Sequence, residues 1–130
     1  MGTARWSTTD WSAYAASTIG RTTEAVFTAR GIDNDLNPFG VRVRESRDSA
    51  LNPESTAIIV GLDVTGSMGM IADALAREGL GTMVEEILAR RPVSDPHILC
   101  MGIGDVLCDQ APLQVTQFEA DIRIARQLEK

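Results

Sequence analysis

The stretch that most limits how this chain can fold is Thr56-Ala57-Ile58-Ile59-Val60-Gly61-Leu62-Asp63-Val64, almost unbroken in apolar and β-branched side chains. A strand with one wet face alternates apolar and polar residues. A run without alternation predicts a strand buried on both faces of a parallel sheet. Past Gly66 the period changes: Met68, Ile71, Ala72, Leu75 and Ala76 form one stripe at helical spacing. Gly79 and Gly81 interrupt the stripe, and Met83, Val84, Ile87 and Leu88 carry it on to Arg91-Pro92. The spacing allows one kinked helix or two short ones. A second apolar run, His97 to Gly104, follows as another buried strand. Strand, helix, strand with both strands apolar predicts an α/β fold: an open sheet of mainly parallel strands with helices on both faces.

The remainder is less regular. Residues 1–54 are expected to be an N-terminal extension and linker packed on an α/β domain spanning 55–130. Within the extension, Thr9 is placed to cap a short helix through Trp11 and Tyr14 to about Ser17. Val41-Arg42-Val43-Arg44-Glu45 alternates as an edge strand would. After the second apolar run, Leu113 to Phe118 suits a short antiparallel strand. Glu119 to Lys130, with Ile122, Ala125 and Leu128 in register, suits a helix.

Composition narrows the function. With 44% hydrophobic and 23% charged residues the profile is that of a folded globular chain. No apolar run approaches the ~20 residues of a membrane helix, so no membrane association is expected. A net charge of −6 repels phosphate backbones and argues against nucleic acid as a partner. The first residues, Met1-Gly2-Thr3-Ala4-Arg5-Trp6, hold no apolar leader segment, and Trp6 breaks a myristoylation pattern. Two cysteines, Cys100 in an apolar run and Cys108 in a polar one, fit a reducing compartment. A cytoplasmic setting is the expectation.

In open α/β sheets ligands gather outside the carboxyl ends of the strands. At the first such end, Asp63, Thr65 and Ser67 alternate in Asp63-Val64-Thr65-Gly66-Ser67-Met68-Gly69, so a carboxylate and two hydroxyls face one side of the loop. Hard cations such as Mg²⁺ take oxygen ligands and keep several waters, which such a set permits. Asp105, at the end of the second strand, is placed to approach the same cation or hold one of its waters. The competing reading is ordinary: Thr65 or Ser67 caps the following helix, and Asp105 is a turn residue.

The Asp63-x-Thr65-x-Ser67 string, between an apolar strand and an amphipathic helix, resembles the metal-ion-dependent adhesion site of von Willebrand factor A-type (vWA) domains. Thr65 replaces the first Ser of the family's pattern and keeps its hydroxyl, as in the copine-type branch. The stretches Ser46-Arg47-Asp48-Ser49 and Gln114 to Ile122 look like bacterial and phage members. The resemblance implies a Rossmann-like sheet, Mg²⁺ (or Mn²⁺ or Ca²⁺), and a protein partner that offers a carboxylate to the metal. It implies an interaction module rather than an enzyme. It covers roughly residues 55–130, the front half of a family domain. The Thr and Asp that complete the family's site belong to later elements, and Thr116 comes too early to stand in for the former. A homo-oligomer, or a C-terminal half supplied elsewhere, is therefore expected. A metal-independent assembly subunit built from a truncated vWA domain is the alternative. A Ser67-dependent hydrolase fits less well, because Thr65 stands where a nucleophile elbow needs Gly, and His97 lies at the wrong end of its strand.

Overall fold

The computed structural model describes residues 5–27, 31–66 and 69–130. Along the chain come helix α1 (Thr8–Thr18), a single turn α2 (Thr23–Val26), a 3₁₀ turn at Pro38–Gly40, and strand β1 (Ser55–Asp63). The long helical stretch follows as α3 (Gly69–Ala74), a π-helical segment (Leu75–Gly79) and α4 (Leu80–Arg90). Strands β2 (Asp95–Ile103) and β3 (Leu113–Val115) and helix α5 (Arg123–Leu128) complete it. The molecule is a mixed α/β structure whose sheet has the order β1-β2-β3. β1 and β2 are parallel, in register from Ser55↔Asp95 to Asp63↔Ile103, and β3 runs antiparallel to the end of β2.

The helical stripe becomes one continuous helix from Gly69 to Arg90, not two, and the glycines mark a change of pitch. Gly79 and Leu80 keep right-handed helical angles, and the extra residue is absorbed by the π-helical segment. Gly81 has a packing reason: a Cβ there would stand 3.4 Å from Trp11 Cε3. Arg91 closes the helix in the left-handed conformation, φ 48°, its N–H bonded to Ile87 O, just before Pro92.

The core lies on one face of the sheet. Ile98 and Cys100 of β2 meet Trp11 and Tyr14 of α1, Leu80 and Val84 of α4, and Ile124 and Ala125 of α5. Ile58 and Val60 of β1 pack at its margin. The extension is thus part of the core. Trp6 stacks on Trp11 at 6.1 Å and donates its indole N–H to Pro96 O, pinning the chain's start to the head of β2. The opposite face carries a smaller cluster of Leu99, Val115 and Phe118, to which no described helix contributes. The long helices therefore cover one face of this sheet rather than both.

Four local expectations change. β1 is not buried on both faces: Ala57, Ile59, Gly61 and Asp63 point outward and are exposed, because no described element covers that side. Val41 to Glu45 forms no strand. It finds no ladder partner, and Arg44 instead ties the segment down by donating to Thr116 O (3.0 Å) and Asp35 O (2.8 Å). Ser7, not Thr9, caps α1, its Oγ accepting from Asp10 N. The last helix begins at Arg123 instead of Glu119. Glu119 is held extended by a reciprocal backbone pair with Ile98 (2.9 Å each way), and Asp121 accepts from Arg123 N. Among the described residues no helix is long and apolar enough to cross a membrane.

Candidate cation site

The carboxyl ends of β1 and β2 lie side by side, joined past the ladder by Val64 N donating to Ile103 O at 2.9 Å. At this edge Asp63 is exposed and Thr65 half-buried. Thr65 donates both its amide (2.9 Å) and its hydroxyl (2.7 Å) to Asp63 Oδ1. The loop folds back because the short Asp side chain reaches the N–H two residues on, an Asx turn. These two bonds, the hydroxyl's first, hold the Asp63 carboxyl below its ordinary range and so keep it ionised. Both fall on Oδ1, so Oδ2 receives no hydrogen bond from a described residue.

The structure thus brings Asp63 and Thr65 together. Ser67, the third oxygen of the motif, lies outside the described residues. Asp105 has a local occupation: its Oδ1 accepts from Leu107 N at 2.7 Å, and its carbonyl accepts from Cys108 N and Asp109 N. Asp109 Oδ2 in turn accepts from Asp105 N at 2.5 Å. A tight turn results, displaying Val106 and Leu107 almost fully to solvent beside the strand end. A Cβ at Gly104 would stand 2.4 Å from Asp109 Oδ2, so a side chain there would push aside the carboxylate that accepts from Asp105 N.

Thr116 is committed elsewhere: its buried hydroxyl accepts from Cys100 N and donates to Gln117 O, both at 2.9 Å. His97 is fully buried, with Nδ1 sharing a 2.9 Å hydrogen bond with Ser46 Oγ. It pairs with Ala57, six positions before Asp63's partner Ile103, which puts it about 20 Å from that edge at ~3.3 Å per residue. Both cysteines are free thiols, and burial pushes the Cys100 thiol up to about 12, leaving it unreactive.

The donors at β1's end are hard oxygens: one ionised carboxylate and a hydroxyl 2.7 Å away, open to solvent. That chemistry suits Mg²⁺ or Mn²⁺ and would not attract a soft metal. It is a sparse set, for among the described residues no cluster of three or more His, Cys, Asp or Glu is arranged to hold a metal. A cation here would keep several waters and have room for a ligand from outside.

A cleft of about 330 Å³ opens on the helical side of the same strand end, walled by Phe27, Leu36, Leu62, Val64, Cys100 and Leu128. Its residues come from six separate segments, so no local pattern in the sequence announces it. Comparison of the chain with protein-family models, curated proteins and solved structures returns no match.

Proposed function

We propose that the chain is a metal-ion-dependent protein-interaction module of the vWA class, non-enzymatic, with a divalent cation held at the carboxyl end of β1. The observation that carries this reading is the Asp63–Thr65 pair. An ionised carboxylate and a hydroxyl meet at 2.7 Å, exposed, where β1 passes toward α3. Asp63 would ligate directly or through water, Thr65 through its hydroxyl, and Ser67 as the third oxygen. Asp105 would act from the neighbouring loop on a bound water, since its Oδ1 already serves the turn. The Rossmann-like arrangement that the reading requires is supported by the parallel β1–β2 pair joined through a helix, with antiparallel β3 on the far side of β2.

A site with one carboxylate binds a dication weakly, with a dissociation constant on the order of 10⁻³ M. A partner that donates a second carboxylate strengthens it. That dependence makes the metal a reporter of the partner. Calorimetric titration with Mg²⁺ and Mn²⁺ is the test: weak binding by the native chain that Asp63→Ala abolishes supports the reading. Heat that is absent, or identical in Asp63→Ala, sinks it.

The alternative, a metal-independent assembly subunit, draws on a different observation, the outer side of β1, with which no strand among the described residues pairs. Sedimentation in the presence of EDTA separates the two readings: a stable oligomer without metal favours assembly, and a monomer favours the cation module.

A further inference from the structure

β1 is hydrogen-bonded to β2 along all nine residues, and among the described residues no strand pairs with its other side. Such an edge offers a row of free N–H and C=O groups. Proteins that must keep an edge solitary place Lys, Pro or a bulge on it, or cover it. Among the described residues none of these devices is on β1. Ser55 to Asp63 contains no Lys, Arg or Pro, and its register with β2 is one-to-one without a bulge. Ile59, at the strand's middle, is 60% exposed, between exposed Ala57 and Gly61. Backbone groups and apolar side chains together are what strand addition uses.

Charge selects what can be added. From Asp48 to Ala76 the chain holds four carboxylates (Asp48, Glu54, Asp63, Asp73) and no Lys, Arg or His. Asp73 is neutralised by Arg77 at 2.7 Å. The others bracket the strand: Asp48 accepts from the amide and hydroxyl of Ser55 at its amino end, and Asp63 closes its carboxyl end. A second copy is a poor occupant. Paired antiparallel about Ile59, it sets Asp63 beside Ser55 and the Asp48 carboxylate. Paired parallel, it sets Asp63 beside Asp63. Like charges opposed across a ladder are destabilising.

We propose that the outer edge of β1 receives an extended segment of a different polypeptide, apolar and β-branched in its middle and carrying Lys or Arg at both ends. The segment continues the sheet past β1, lays alternate side chains beside Ile59, and neutralises the carboxylates at either end. Nothing in this docking needs a cation, so it is tested apart from the metal reading.

The experiment uses the full chain in EDTA and a fluorescein-labelled peptide, Lys-Val-Thr-Val-Thr-Val-Thr-Val-Lys, followed by anisotropy and by amide hydrogen exchange. The proposal expects saturable binding and slowed exchange across 56–62. It also expects affinity on the order of tenfold above that of the same peptide with Glu at both ends. A peptide with Pro at its centre should not bind. Ile59→Lys, exposed and so harmless to folding, should weaken the basic peptide while leaving the melting curve unchanged. Equal binding of Lys- and Glu-ended peptides overturns the proposal, as does binding of neither. So does a chain that sediments at twice 14.0 kDa with its β1 amides already protected.

Discussion

β1 and β2 lie side by side, nine residues each, parallel and similar in composition, yet they meet different surroundings. From Pro96 to Cys100 every residue of β2 is buried, with the helical core on one face and the Leu99–Val115–Phe118 cluster on the other. β1 is half-buried on its inner face and exposed on its outer one. The difference is positional. β2 is the central strand, flanked by β1 and β3, whereas among the described residues β1 has a neighbouring strand on one side only. An apolar run reports what a strand can tolerate having on both faces, and the topology decides whether anything is there.

The contrast can be broken by mutation. Ile98 is fully buried, and Ile98→Ala should cost about 3–4 kcal/mol in urea denaturation, through lost burial and a cavity. A loss below about 1 kcal/mol would show that the centre of the sheet is no better packed than its rim. Ser46→Ala is expected to cost ~1–2 kcal/mol, because it strips the Nδ1 partner from a buried imidazole.

The same imidazole makes stability depend on pH. Burial holds the His97 pKa below its ordinary 6.5, so the unfolded chain takes up a proton that the folded chain resists. The unfolded state binds more protons as pH falls below 6.5, and stability drops through that range. Melting temperature should therefore decline from about pH 7 to pH 5, and His97→Gln should flatten the decline. An unchanged slope in the variant would assign the effect to another group. Arg44→Ala, which frees residues 35 and 116 from one guanidinium, should cost about 1 kcal/mol. Smallest of all, Ile59→Ala on the open face should change stability by no more than about 0.5 kcal/mol. A loss as large as that of Ile98→Ala would mean that β1's outer face is covered in solution.

What the sequence revealed follows from the range of the interactions. The helix from Gly69 to Arg90 is written in residues three and four apart, and β2 in consecutive ones, so periodicity finds both. The Asp63–Thr65 contact joins residues two apart at a strand end, and their spacing announced it. Other features rest on partners far along the chain. Ser46 meets His97 across 51 residues and Arg44 meets Thr116 across 72, so neither the buried histidine's partner nor the failure of 41–45 to pair could be read locally. Glu119 is likewise assigned to a helix by the stripe Ile122, Ala125 and Leu128 that follows it, and its bridge to Ile98 keeps it extended. Asp105 is open to two readings from its place at the end of β2, a turn residue or a group beside the candidate cation, and its bonds with Leu107 and Asp109 build the turn.

The oxygens proposed to hold a small dication lie at the end of β1, and paramagnetic Mn²⁺ addresses them directly. Titrated into ¹⁵N-labelled protein, Mn²⁺ should broaden amide signals first around Asp63 to Gly66 and next along the 103–106 loop, with the pattern lost in Asp63→Ala. Broadening that starts elsewhere on the acidic surface, or that persists unaltered in the variant, would contradict the account.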